Sequence, residues 1–331
     1  MLDLIKKFTA AFSVTGEETA LRSVIEKEAA IYADGISTDP MGNLIVYKKG
    51  ENSGKKLMIA AHMDEIGFVV TYIEDNGFIR VSNLGGINSI SSSYHTVRFN
   101  NGTPGVLVFD SGTKPEDIKA NKLFVDIGAR SAKEAGKKIK IGDTCALTPV
   151  FQKLMNNRFT AKAFDDRIGC AVALDSLRNA KKTKYDTYYV FTVQEEVGCR
   201  GSKTASFSIM PDYAVALDVT TAGDVPGEKN QPVSLGKGAA IKIKDNSVIC
   251  SKVIVDRLTA LAEKHKIKYQ YEILTAGGTD TSSMQLAGAG CDAGCISIPT
   301  RYIHTPMETI DFSDVKACSS LLTALTEEGM E

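Results

Sequence analysis

Two of the four histidines and most of the candidate carboxylates in this chain stand just beyond short apolar runs. His62 and Asp64 follow Leu57-Met58-Ile59-Ala60-Ala61, and Glu195 and Glu196 follow the run Tyr188 to Val193. Asp218 follows Tyr213 to Leu217, and His304 comes shortly after Cys295 to Ile298. Asp165 and Asp166 open an apolar-periodic stretch, as residues at a helix N-terminus do. Imidazoles and carboxylates are donors suited to zinc, cobalt or manganese. Strands that release such residues at their C-terminal ends are how an open α/β sheet builds an active site. The pattern is that of a metallohydrolase.

Each position has its own chemistry. In His62-Met63-Asp64 the two polar side chains share one face of an extended segment, because strand side chains alternate. His62 suits a metal, and Asp64 suits the carboxylate that a ligating imidazole commonly pairs with, or a water organiser. Asp165, taken alone, reads as a helix cap favoured by the helix dipole. A carboxylate with two oxygens is also the natural bridge between two cations about 3.5–4 Å apart. The adjacent Glu195 and Glu196 repel each other unless a cation compensates them. One Glu is needed as ligand and one as general base. We prefer Glu195 as base and Glu196 as ligand, although spacing alone does not decide the order. Asp218 is a lone carboxylate in an apolar run, a costly placement without a compensating cation.

His304 lies in a loop and matters because the site needs a second imidazole. The alternatives are His95, inside a β-rich segment, and His265, at a lysine-flanked helix end. Gly277-Gly278-Thr279-Asp280 is a flexible loop whose glycines permit close approach to a ligand, and Asp280 suits the cap of a following helix. A structural turn explains this loop as well as a substrate loop does. Gly278, Thr279, Asp280 and Arg301 are the substrate-binding candidates. The loop lacks the lysine and spacing of phosphate-binding motifs.

The elements that must position these residues follow from periodicity. Thr15-Gly16-Glu17-Glu18 reads as a capping box before a helix carrying Leu21, Ile25 and Ala29. Asp39 to Asn43 is a turn, Leu44 to Tyr47 a strand, and Lys55 to Ala61 a buried central strand. From 67 to 156 the texture changes to short β-branched runs: 68–73, 78–81, 96–99, 105–109, 122–127 and 145–150. Asn76-Gly77 and Asn101-Gly102 mark hairpins, and a helical stretch near 131–137 interrupts the series. The expectation is an α/β catalytic domain built from 1–66 and 157–331, with a mixed, mostly parallel sheet flanked by helices. A small β-barrel domain over 67–156 is inserted in it. Helices are expected over 165–178, 251–266 and 314–328.

At 331 residues the chain has room for two domains and their cores. A net charge of −1 with both signs interspersed gives no footprint for a nucleic-acid or membrane partner. Residues 1–20 lack the apolar region of a secretory signal. No apolar run approaches the roughly 20 residues of a membrane span. The seven cysteines are scattered, odd in number and at no zinc spacing, so a cytoplasmic protein with reduced thiols is expected.

The segments Ala61-His62-Met63-Asp64-Glu65-Ile66-Gly67-Phe68, Phe164-Asp165-Asp166-Arg167-Ile168-Gly169 and Thr192-Val193-Gln194-Glu195-Glu196-Val197-Gly198 occur in this order. Leu217-Asp218-Val219, Gly278-Thr279-Asp280 and Ile298-Pro299-Thr300-Arg301-Tyr302-Ile303-His304-Thr305-Pro306 follow. Together they resemble the M42 family of co-catalytic metallo-aminopeptidases, some members of which carry the label endoglucanase. The resemblance implies a zinc-peptidase-like fold with two divalent cations per subunit, zinc foremost, with cobalt or manganese as alternatives. It implies His62 and Asp218 on one cation, Glu196 and His304 on the other, and Asp165 bridging them. Glu195 would be the base and Asp64 would stand behind His62. A cis Asp165–Asp166 peptide is implied as well.

So are self-assembly into a tetrahedral dodecamer, with the barrel in oligomerisation and access control, and short peptides with a free N-terminus as substrates. Two segments depart from the family pattern: Ser89 to His95, without the usual Gly-Gln-Arg-type turn, and Asp110 to Lys114, without a Pro-His element. Both bear on assembly and cavity lining rather than on chemistry. The rival readings are a related di-metal deacylase, with Arg200 and Arg301 as a cationic pocket, and a non-catalytic assembly protein on the same scaffold. A glucanase is disfavoured, because glycosidases generally use two carboxylic groups flanking the bond.

Overall fold

The computed structural model describes residues 1–331, the side chain of Ser53 excepted. Two helices, α1 (Leu2–Ala10) and α2 (Thr19–Ala29), lead into β1 (Gly35–Thr38), β2 (Leu44–Lys48) and β3 (Asn52–His62). The helix α2 begins without the expected capping box. Glu18 sits at its N-cap in helical conformation with no side-chain cap bond. Its carboxylate accepts instead from the N–H of Gly16 at 2.7 Å and of Gln194 at 3.2 Å. The Thr15 hydroxyl donates to Asp64 at 2.9 Å. A tertiary partner takes the Thr15 hydroxyl away from the local motif.

The segment after β3 forms a closed barrel of six strands. These are β4 (Gly67–Ile73), β5 (Ile79–Leu84), β6 (His95–Phe99), β7 (Pro104–Phe109), β8 (Leu123–Asp126) and β9 (Thr144–Leu147). The short helices α3 (Ser89–Ser92) and α4 (Ala132–Ala135) lie between them. Gly77 and Gly102 take φ of 95° and 86°, the left-handed turn conformation that the Asn-Gly pairs require. Alternation puts Phe68, Val70, Val97, Phe99, Leu107 and Val125 in the barrel core.

The chain rejoins the main sheet at β10 (Gln152–Lys153), ahead of the expected boundary at 156, and continues through β11 (Arg158–Ala161). Strand–helix alternation then resumes with α5 (Phe164–Asn179), β12 (Tyr185–Thr192), α6 (Arg200–Ile209), β13 (Tyr213–Thr221) and β14 (Ala239–Lys244). It closes with α7 (Lys252–Lys264), β15 (Tyr269–Ile273), α8 (Thr281–Gln285), β16 (Asp292–Arg301), β17 (Glu308–Asp311) and α9 (Phe312–Glu328).

The large sheet has 11 strands, running β1-β2-β12-β3-β13-β16-β17-β11-β10, with β14 paired to β16 and β15. Parallel pairing is confined to the central run β12-β3-β13-β16 and to β14 with β15, and antiparallel strands flank that centre. The central strands read as continuous apolar runs because helices cover both faces. Leu57, Ile59, Phe191, Val215 and Leu217 pack towards α1, α5 and α9. Met58, Ala60, Val190 and Ala216 pack towards α6 and α8. Among the described residues no helix is long and apolar enough to cross a membrane.

Candidate active site

All four central strands point their C-terminal ends at one place. The strand β3 ends on His62, level with Thr192 at the end of the parallel neighbour β12. Glu195 and Glu196 come from the loop beyond Thr192, Asp218 from within β13, and His304 from the loop beyond β16. Asp165 and Asp166 are the first residues after the left-handed Ala163 and Phe164 at the start of α5. Both have non-helical backbone, and the peptide between them is cis.

Asp165 is the centre of the arrangement. Its Oδ1 lies 2.9 Å from His62 Nε2, and its Oδ2 lies 3.2 Å from His304 Nε2. Asp218 Oδ1 stands 3.9 Å from His62 Nε2, and Glu196 Oε2 stands 3.3 Å from His304 Nε2. Two groups of converging donor atoms therefore share Asp165: His62–Asp165–Asp218 and Asp165–Glu196–His304. Glu195 faces the first group, its Oε2 at 4.0 Å from His62 Nε2.

The supporting contacts hold each donor in place. Asp64 is buried below the Glu195–Glu196 turn and accepts both backbone N–H groups, at 3.0 and 3.2 Å. Its side chain lies 3.5 Å from His62 Nδ1, while its backbone carbonyl is nearer, at 3.1 Å. Asp166 accepts from the N–H of His62 at 3.2 Å and of Gly169 at 2.9 Å. Glu308 on β17 accepts from the N–H of Asp165 at 3.0 Å and of His304 at 2.9 Å.

The electrostatics of the pocket are one-sided. Burial pushes Glu195 and Asp218 well above the usual carboxylate range and raises Glu196. Burial alone would lower His304, but its hydrogen bonds to Asp165 and Glu196 lift it to about 12. Burial would likewise lower His62, and Asp165 and Asp64 lift it well above its ordinary value. Glu196 Oε1 is buried without a partner. A cluster that drives both imidazoles towards the cationic form is one that lacks positive charge, an environment that suits a divalent cation.

A cavity of about 1010 Å³ opens over these residues. Gly278 and Thr279 line it, together with Thr275 to Gly277 and Ser247. Asp280 and Arg301 do not meet it as expected. Asp280 is buried and accepts from the Thr192 hydroxyl at 2.6 Å. Arg301 forks onto Asp224 at 2.9 and 2.6 Å, because a planar guanidinium finds its best partner in a nearby carboxylate. Arg200 is exposed and reaches only Gln194, at 3.5 Å. The cationic pocket that a deacylase calls for is not assembled by these two arginines.

Sequence reasoning missed Glu308, Thr15, and the buried trio Glu65, Lys162 and Arg167. Arg167 is fully buried and donates to Glu65 at 3.1 Å and to the Phe8 carbonyl at 2.8 Å, and Lys162 completes the ion pair with Glu65. The adjacency of Arg167 to Asp165-Asp166 and of Glu65 to His62-Met63-Asp64 was a readable cue. Glu308 offered none beyond its distance of a few residues from His304.

The apolar, centrally parallel strands gather two acid–imidazole groups around one carboxylate, the arrangement of a candidate hydrolytic site, and the comparisons assign its family. The M42 glutamyl aminopeptidase family model matches residues 42–321. A protein of Acetivibrio thermocellus with a provisional aminopeptidase name is 46% identical over 97% of each chain. An aminopeptidase structure from the archaeon Desulfurococcus kamchatkensis superposes with a TM-score of 0.95 at 39% identity, covering 99% of this chain and 94% of that one. The Pyrococcus horikoshii TET1 peptidase, which can assemble into a tetrahedron or a large octahedral shell, superposes with a TM-score of 0.89 at 31% identity over 99% of both chains. The chain belongs to the M42 peptidase family and is a hydrolase acting on peptide bonds.

Proposed function

We propose that this protein is a co-catalytic di-metal aminopeptidase that removes N-terminal residues from short peptides. The observation that carries the reading is Asp165, whose two oxygens face two different imidazoles at 2.9 and 3.2 Å. A carboxylate so divided suits a bridge between two ions. His62, Asp165 and Asp218 would hold one cation, and Asp165, Glu196 and His304 the other. Their mixed nitrogen and oxygen donors suit zinc first, and cobalt or manganese as well. When bound, such cations lower the pKa of water and polarise a carbonyl group.

The chain's own residues do the rest. Glu195 takes the proton of the attacking water as its oxygen bonds to the scissile carbonyl carbon. It returns that proton to the nitrogen as the C–N bond breaks. Burial, which disfavours the charged carboxylate, makes Glu195 a stronger base than a solvated one. Asp64 holds the Glu195–Glu196 turn through two backbone N–H groups, so base and ligand keep their relative position. The substrate's free α-amine would also be a ligand of a cation held by these residues, which favours attack at the first peptide bond. Gly278 and Thr279 on the cavity wall contact the leading residue.

The barrel serves self-association, in a homo-oligomer of the tetrahedral dodecameric kind, and restricts access to the cavity. A cytoplasmic location suits its seven free thiols.

The test is hydrolysis of aminoacyl-p-nitroanilides and their N-acetylated counterparts by metal-stripped protein reloaded with zinc, cobalt or manganese. Metal-dependent cleavage of only the free-amine substrates is expected. Cleavage of only the acetylated set moves the assignment to a deacylase, and silence on both moves it to a non-catalytic scaffold.

A further inference from the structure

Beside the two donor groups that share Asp165, a third group of donors converges from the loop before α6 and from the start of α8. Cys199 stands at the start of α6, Glu195 in the loop before it, and Asp280 ahead of α8. One donor atom from each lies within 4.8 Å of the others. Cys199 Sγ donates to Glu195 Oε1 at 3.1 Å, while Glu195 Oε2 is the oxygen turned to His62. The two oxygens of this carboxylate therefore serve different neighbours. Asp280 is 2% exposed, with the Thr192 hydroxyl on Oδ2 at 2.6 Å and Oδ1 buried without a hydrogen-bond partner. Ser202 lies close enough to temper the effect of burial on this carboxylate, but no hydrogen bond of normal geometry reaches Oδ1. Cys199 and Glu195 both line the cavity, which leaves a route in from solvent.

We propose that Cys199, Glu195 and Asp280 form an additional cation site, which takes a thiophilic divalent ion such as Zn²⁺ or Cd²⁺ and inhibits the enzyme when that ion is in excess. The inhibition rests on Glu195 being the base, as proposed above; the site does not. The donor set selects the ion. One sulfur with two carboxylate oxygens, and an open fourth position towards the cavity, suits tetrahedral zinc or cadmium. Manganese and magnesium prefer all-oxygen or nitrogen–oxygen shells and gain little from a thiolate.

The binding step balances simply. Cys199 is held as a thiol, because burial and then the charges of Asp280 and Glu195 push it up. On binding, the S–H proton leaves to solvent and a metal–sulfur bond forms, with the ion's charge offsetting the two carboxylates. Glu195 Oε1 becomes a ligand, and the side chain is drawn away from accepting a proton from water. No other cysteine of the chain joins such a group among the described residues.

The test titrates cadmium or zinc into the full-length protein whose catalytic positions are already filled. Cys199→Ser and Cys199→Ala are run in parallel, with folding checked by thermal melting. In the wild type one further equivalent binds, the ultraviolet sulfur-to-cadmium charge-transfer band appears, and peptidase activity falls roughly tenfold or more. Excess manganese has no such effect. Both variants lose the band and the extra equivalent, and each keeps its own basal rate through the titration. Absence of the band in the wild type, or its persistence in both variants, overturns the site. A band without inhibition overturns the inhibitory role and points to Glu195 rather than to the site, while the band and stoichiometry stand apart from any peptidase activity.

Discussion

The two halves of the metal-type site are built from different material. The His62 half stands on strands: His62 ends β3 and Asp218 lies within β13, with 2% and 6% exposure. The His304 half stands on loops. Glu196 follows the turn after β12, and His304 sits at a φ of 62° with a side chain 32% exposed. Strand positions are set by ladder hydrogen bonds and by the core beneath them. Loop positions depend on individual partners, here Glu308 below His304 and Asp64 below Glu196. The barrel also enters this half: a Cβ on Gly86 would meet His304 Nδ1 at 3.1 Å, and one on Gly85 would meet Glu196 Oε2 at 3.0 Å. The lesson is that one half is rigid by construction and the other is held by contacts that single substitutions remove.

Neighbouring glutamates give the largest test of this division. Glu195→Gln should lower kcat by about 10²–10⁴-fold while metal content stays unchanged. Glu196→Gln should instead release metal from the His304 half. Full activity in metal-loaded Glu195→Gln would assign the base elsewhere. Next in size is Asp64→Asn, which replaces the carboxylate under both glutamates. A loss of roughly 10–100-fold in metal affinity or activity is expected, felt in both halves. Metal analysis and kinetics on one preparation read this, and a loss confined to one half would narrow Asp64 to a single partner.

A chelator titration followed by metal analysis separates the halves directly. Two phases are expected, the first from the His304 half, because His304 is the most exposed of the ligands. Glu308→Gln should shift the first phase by roughly tenfold and the second by less, since it loosens His304, which serves the first half alone, as well as the shared Asp165. A single phase that moves as a whole would dissolve the distinction. The smallest effect belongs to Gly86→Ala, whose added methyl presses on the His304 ring. It should change the first phase by only a few-fold, an order set by the indirect contacts of ligating residues. No change would mean that the barrel loop gives way.

How much of this was legible beforehand depends on the range of the signal. His62, Asp165, Glu195, Glu196, Asp218 and His304 all stood beside apolar runs or at a helix start, and the structure gathers them round one cavity. The barrel was legible from Asn-Gly turns and alternating runs, which are local patterns. The capping box does not form because Thr15 bonds Asp64, far along the chain, while Glu18 accepts from neighbouring Gly16 and distant Gln194. Arg301 was a reasonable substrate contact by position, but the carboxylate of Asp224, distant in sequence, claims it.

By itself the sequence determined the donor types, the strands that end beside them and the inserted β-rich segment, because periodicity and turn chemistry act over a few residues. The tertiary structure decided which oxygen of Asp165 faces which imidazole, and that Asp64 serves the Glu195–Glu196 backbone as well as His62. It also decided that Glu308 carries His304 and that Cys199 and Asp280 meet at Glu195. The meetings of Asp165 with His62 and of Asp64 with Glu195 join residues 103 and 131 positions apart. They follow from packing the whole sheet, and no local pattern encodes them.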